Sequence, residues 1–160
     1  LYKRENFRKA FSNFNPKIIA GYDGKKIKFL MNNPGIIRNR LKIEGAVKNA
    51  KAFLKIQKEF GSFDKYIRQF TPLEAEARCG PSRPLTGFTG HKTIDNKQKS
   101  LNNLRSKSRE SEAMSRDLKK RGFTFVGSTI CYAYMQGAGM VNDHLLSCFR
   151  HKELNGKKRK

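Results

Sequence analysis

Apolar residues recur along most of this chain at helical spacing. The longest periodic run is Ile36 to Phe60, where Ile37, Leu41, Ala46, Phe53, Ile56 and Phe60 form a stripe and Lys and Arg fill the other faces. Gly61 ends it, and Ser62 opens another short helix over Phe63 to Phe70. The chain begins with helical spacing through Phe7 and Phe11 and no cap in front, which predicts a helix whose start lies upstream of Leu1. Asn15 followed by Pro16 predicts a helix to about Tyr22. Asp23 caps the next, through Ile27, Phe29 and Leu30, before the breaker Asn33-Pro34-Gly35. These stripes read as core faces rather than cofactor boxes.

The regular pattern fails between Thr71 and Arg109. Pro72, Pro81, Pro84, Gly80, Gly87 and Gly90 interrupt it, over a length unusual for a connection inside a compact domain. This predicts a solvent-exposed irregular loop at about 71–90, with Leu73 to Ala77 locally helical. Helical spacing returns at Ser108, which caps a helix through Glu110, Met114 and Leu118 that ends at Gly122. Glu110 and Glu112 lie near its positive end, and Lys119 to Arg121 near its negative end. Gly127 or Ser128 starts a helix over Thr129 to Gly139, with Ile130, Ala133, Tyr134 and Gly137 on one face. Cys131 reads as a small buried residue, and Tyr132 and Tyr134 as core. Asn142 caps a last helix, Asp143 to Arg150. The architecture is all-α: one helical domain over 1–151 and a basic tail over 152–160.

Charge adds a partner to this picture. The 160 residues carry 35 Lys and Arg against 13 Asp and Glu, a formal net charge of +22. Such an excess repels itself unless a polyanion neutralises it, and nucleic acid is the partner that composition favours. A lysine-rich coding bias with no target is the alternative. No stretch is long and apolar enough to span a bilayer, and Leu1 to Phe11 lacks a signal-peptide core. Three widely spaced cysteines (Cys79, Cys131, Cys148) argue against a disulfide framework and for a reducing, cytoplasmic setting, with the chain a monomer.

Two half-devices sit between Asp117 and His151. The first is the turn Gly122 to Gly127, preceded by Lys119, Lys120 and Arg121. A glycine-bracketed turn leading into a helix offers backbone N–H groups to a phosphate oxygen; a plain αα-hairpin whose glycines only close the turn is the other reading. The second is His144 and Cys148, placed at i, i+4 on one helical face. Such a pair can give two ligands to a zinc ion or simply pack, and a structural zinc needs four ligands. His151 lies roughly on the same side. Cys79, His91 and Cys131 form no second close pair. No nucleophile elbow, no Gly-Lys-Ser or Gly-Lys-Thr phosphate loop and no Trp is present, and no residue is assigned a catalytic role.

Four segments carry a family resemblance. Leu118 to Gln136 (LKKRGFTFVGSTICYAYMQ), Met140 to His151 (MVNDHLLSCFRH), Asn33 to Glu44 (NPGIIRNRLKIE) and Phe60 to Asp64 (FGSFD) resemble the DNA-3-methyladenine glycosylase I family of helix-hairpin-helix glycosylases. The resemblance covers Leu1 to about Phe70 and about Phe88 to His151. It implies an all-α glycosylase fold that hydrolyses the N-glycosidic bond of 3-methyladenine in alkylated double-stranded DNA, opening base-excision repair. It implies that Lys120, Arg121, Gly122, Phe125, Val126, Gly127, Ser128 and Thr129 form the hairpin that grips the DNA backbone. It also implies that His144 and Cys148 are two of four ligands of a structural zinc.

The family's N-terminal segment precedes the point matching Leu1. That segment carries the other two zinc ligands, a Leu-Ser-Trp region and the Glu that recognises the flipped base. The resemblance therefore implies an incomplete N-terminus and impaired base release. The alternatives are a catalytically silent DNA-backbone-binding helical module or a non-functional remnant. Two departures accompany this: about Pro72 to Gly87 reads as an insertion, and Gln98 stands where the family tends to have Trp.

Overall fold

A computed structural model describes residues 2–72 and 93–156. Most of the predicted loop at 71–90 therefore lies outside the described residues, as do Cys79 and His91. The described elements run, in chain order, α1 (Arg4–Ala10), a 3-10 turn (Ser12–Phe14), α2 (Pro16–Ala20), α3 (Gly24–Met31), α4 (Arg40–Phe60) and α5 (Phe63–Arg68). There follow β1 (Ile94–Asp95), a 3-10 turn (Leu101–Asn103), α6 (Arg109–Lys120), α7 (Ser128–Gly137), β2 (Val141–Asn142) and α8 (Phe149–Gly156). Helices dominate, as the spacing predicts. The exception is one parallel two-residue pairing, Ile94 opposite Val141 and Asp95 opposite Asn142.

Five helix starts follow side-chain caps, whereas α1 has none and begins at Arg4, not upstream of Leu1 as the spacing predicts. Asn15 Oδ1 accepts from the Lys17 amide at 3.0 Å, and Asp23 Oδ1 from Lys26 at 2.8 Å. Ser62 Oγ accepts from Lys65 at 3.0 Å. Ser108 and Ser111 cap reciprocally, each hydroxyl accepting from the other's amide. Each bond satisfies an amide that the first helical turn leaves orphaned. The run expected from Ile36 begins instead at Arg40, where Asn39 Oδ1 accepts from Lys42.

Two compact units emerge, Leu1–Tyr66 with Arg116–Val126, and Ile67–Ser115 with Gly127–Lys160. In the first, α2 and α3 pack on α4, around a core of Phe11, Ile19, Leu30, Ile36, Ile43, Val47 and Ala50. The buried side of α4 is Ile43, Gly45, Val47, Ala50, Ala52 and Ile56. Of the expected stripe only Ile56 is fully buried; Ile37 and Leu41 are 65% and 70% exposed. Half of this buried side is Gly or Ala, and the rest is the β-branched Ile43, Val47 and Ile56.

In the second unit, α7 buries Cys131, Tyr132 and Met135. The expected face is offset by one position: Ile130 and Tyr134 are exposed, while Cys131 is buried as expected. The predicted helix Asp143 to Arg150 is also replaced. Asn142 belongs to β2, and its Oδ1 accepts from the His144 amide. Gln98 and Leu145 form an isolated bridge, with the Leu146 amide bonded to the Gln98 carbonyl at 2.9 Å. These bonds keep the backbone extended through Leu145, so the helix starts only at Phe149. It then continues to Gly156, so the segment expected as a basic tail over 152–160 is helical for its first five residues.

Candidate functional site

The hairpin segment begins where α6 ends. Gly122 has φ +89, the left-handed region that favours glycine, and its amide bonds the Lys119 carbonyl. Phe123 is buried, and its ring lies 6.3 Å from that of Phe63. The backbone of Thr124 is then held from α4. The Asn49 carboxamide accepts from the Thr124 amide at 2.8 Å and donates to the Thr124 carbonyl at 3.0 Å. Phe125 follows at φ +59 with its ring 55% exposed. That geometry is uncommon for a non-glycine residue and costs roughly 1–2 kcal/mol. The Asn49 clamp on the preceding residue offsets this strain.

Gly45 explains how α4 comes so close. A Cβ there would lie 2.8 Å from Thr124 Oγ1 and 2.9 Å from the Phe125 ring. Sequence reasoning missed both Gly45 and Asn49. A polar residue inside a helical run reads as solvent-facing, and the residue Asn49 holds is 75 positions away.

Arg121 is ion-paired within the first unit. Its guanidinium meets Glu59 at 2.7 Å and Asp117 at 2.8 Å, and lies over the rings of Phe60 and Tyr66 at 4.9 and 5.0 Å. Tyr66 donates to Asp117 at 2.6 Å. Burial alone would raise the Asp117 carboxyl, but the bonds from Tyr66 and Arg121 outweigh it and lower it. Burial, reinforced by Asp117, pushes the Tyr66 phenol above its ordinary range. Lys119 and Lys120, beside this cluster in sequence, are exposed.

In the second unit, Gly127 is the N-cap of α7, without a side-chain cap bond. The first-turn amides, including those of Ser128 and Thr129, thus lack the usual capping oxygen. A Cβ on Gly127 would meet nothing within 4 Å, and its φ of −63° suits any residue. Among the described residues nothing demands glycine at this position.

His144 and Cys148 come together, though not on a helix. A turn brings Cys148 Sγ to 3.7 Å from His144 Nδ1. Zinc–nitrogen and zinc–sulfur bonds of about 2.0 and 2.3 Å at a tetrahedral angle set the two donors about 3.5 Å apart. The pair therefore fits two corners of a zinc site. His151 is committed elsewhere: it is buried, and its Nε2 lies 3.0 Å from Asp95 Oδ1. Among the described residues no group of three or more His, Cys, Asp or Glu is arranged to hold a metal.

Beside this turn, Asp143 gathers four donors. Its carboxylate accepts from Asn96 Nδ2 at 2.6 Å, Tyr132 Oη at 2.7 Å and Gln136 Nε2 at 2.7 Å, and from Gln98 Nε2 at 3.5 Å. Burial opposes its ionisation, yet these bonds together hold the carboxyl below its ordinary value. Burial and Asp143 push the Tyr132 phenol up. Gln98, at a position where the sequence resemblance leads one to expect Trp, is buried in this network. Among the described residues no helix is long and apolar enough to cross a membrane.

Comparisons with known proteins bear on the family and the fold. The family model described as methyladenine glycosylase matches residues 1–151. The chain is 41% identical over 148 residues to the DNA-3-methyladenine glycosylase of Haemophilus influenzae, covering 92% of this chain and 70% of that protein. It is 34% identical, over the same shares, to DNA-3-methyladenine glycosylase 1 of Escherichia coli. It superposes with a TM-score of 0.77 and 26% identity on a 3-methyladenine DNA glycosylase I solved in complex with 3-methyladenine, covering 92% of this chain and 69% of that one. The chain belongs to the methyladenine glycosylase family.

Proposed function

We propose that this protein is a DNA-3-methyladenine glycosylase, hydrolysing the N-glycosidic bond of 3-methyladenine in alkylated duplex DNA. The observation that carries this reading is the family match over residues 1–151, joined to relatives named for that activity. A base inside a duplex is out of reach, so such an enzyme must first hold the backbone firmly while the base is extruded, at a cost of a few kcal/mol.

The hairpin segment suits that holding task. Gly127 presents an uncapped helix N-terminus with open space beside it. That opening leaves room for a phosphate to approach the backbone closely. In this reading Ser128 and Thr129 contribute their amides, and Lys120 adds charge. Gly122, Phe125 and Val126 shape the turn. Arg121, ion-paired with Glu59 and Asp117, anchors the end of α6.

His144 and Cys148 supply two ligands to a structural zinc in the same proposal, supported by their 3.7 Å separation. Zinc would tie the turn before α8 through metal–ligand bonds and would take no part in the hydrolysis. The test of function is chromatography of the free bases after the protein is incubated with alkylated duplex DNA. Release of 3-methyladenine above the spontaneous rate supports the reading, and its absence rejects it.

A further inference from the structure

A second charged feature lies wholly within the Ile67–Ser115 and Gly127–Lys160 unit. A recess of about 410 Å³ is lined by Asn96, Lys97, Gln98, Lys99, Asn103 and Arg105. Its polar wall is fixed. Asn96 is bonded to Tyr132 and Asp143, and Gln98 is buried against Asp143 with its backbone bridged to Leu145. Its rim is cationic. Lys97, Lys99 and Arg105 are exposed and make no ion pair among the described residues. Two carboxylates adjoin the wall, and both are engaged: Asp143 by its four donors, and Asp95 by the Lys97 amide and His151.

From Asn96 to Arg109 the sequence holds five Lys or Arg and no acidic residue, and among the described residues only Lys107 is ion-paired, with Glu112. The backbone here is locally pinned. The Lys97 amide bonds Asp95 Oδ1 at 3.0 Å, and the Asn102 amide bonds Ser100 Oγ.

We infer that this recess is a second phosphate-binding site, in which Lys97, Lys99 and Arg105 hold the DNA backbone at a point outside the hairpin. The inference rests on the reading of the protein as DNA-binding and adds a separate contact to it. A cavity of this size with a polar wall and three exposed cations matches phosphate oxygens, which take charge-assisted bonds from Lys, Arg and Asn. An apolar ligand would find little complementary surface among these side chains. Holding the wall rigid before binding reduces the ordering cost of capturing the strand. A site of this kind reads no sequence; it fixes register and adds to salt dependence.

The test is equilibrium binding of the full protein to an unmodified 20-base-pair duplex, followed across salt concentration. Each phosphate released from a protein contact lowers the slope of log affinity against log salt by about 0.9. The combined variant K97Q/K99Q/R105Q should lose roughly one to two units of slope, and on the order of tenfold in affinity. K97R/K99R/R105K should keep both. The variant K17Q/K25Q/K28Q, which removes the same charge from exposed positions on the other unit, should change the slope by less than one contact. Equal slopes for the two glutamine variants would overturn the recess site while leaving DNA binding intact. A wild-type protein with no salt-dependent binding would overturn the DNA reading itself, and the recess site with it.

Discussion

Asn49, in the middle of a 21-residue helix, closes both backbone valences of Thr124. A carboxamide is the side chain for this task, since it offers one donor and one acceptor in a plane that matches a peptide unit. Replacing Asn49 by Ala leaves a part-buried N–H and C=O without their partner. A stability loss of about 1–3 kcal/mol is expected, together with weaker DNA binding. Asn49→Asp keeps the acceptor but loses the donor to the Thr124 carbonyl, and should fall between the two in chemical denaturation.

Gly45→Ala sets two effects against each other. Alanine gains up to about 1 kcal/mol of helix propensity. Its Cβ, however, would sit 2.8 Å from Thr124 Oγ1 and 2.9 Å from the Phe125 ring, and overpacking of this kind costs about 1–3 kcal/mol. The clash outweighs the propensity, so the variant should melt earlier than wild type. A variant that melts later would show that the hairpin does not rest on α4 as described.

Gly127→Ala separates the DNA role of the turn from its folding role. The added Cβ meets nothing within 4 Å and φ is permissive, so stability should stay within about 0.5 kcal/mol of wild type. Affinity for duplex DNA should fall on the order of tenfold, because the methyl group occupies the space a phosphate would take. Unchanged affinity would return the turn to the plain αα-hairpin reading. Gly122→Ala should behave differently: at φ +89 it costs roughly 1–2 kcal/mol in stability.

Acid should weaken the fold through Asp117 and Asp143, both of which are lowered from their ordinary values. A carboxyl depressed in the folded state contributes stability that is complete above its unfolded pKa of about 3.9. That contribution is lost as pH falls through the lower, folded value. Thermal melts should thus decline steeply below about pH 4. Asp143→Asn should flatten that decline, and an unchanged acid limb in this variant would remove Asp143 from the account.

Metal binding is read most directly from the thiolate. Loading with cobalt should give a sulfur-to-metal absorption band, since a coordinating thiol is deprotonated. Cys148→Ser should abolish the band and His144→Ala should weaken it. His151→Gln should leave it in place, because His151 is bonded to Asp95.

Much of this was legible in the sequence. Asn15, Asp23, Ser62 and Ser108 mark helix starts because capping is a local act between residues two or three positions apart. The faces of α4 and α7 were misread because size was weighed above position. Ala50 and Val47 lie inside, while Leu41 and Ile130 lie outside. The approach of His144 to Cys148 was expected from helical spacing and is achieved by a turn. That turn depends on Asn96 and Gln98, more than 40 residues earlier, which local pattern cannot reveal.

The central claim is that this chain works on alkylated DNA as its family does. The most direct measurement is the rate at which the protein frees 3-methyladenine from methylated duplex DNA, compared with Gly127→Ala at the same concentration. The account predicts release above the spontaneous rate by wild type, and slower release by the folded Gly127→Ala variant at subsaturating DNA. Wild-type protein that binds the duplex yet frees no base above the spontaneous rate would contradict it.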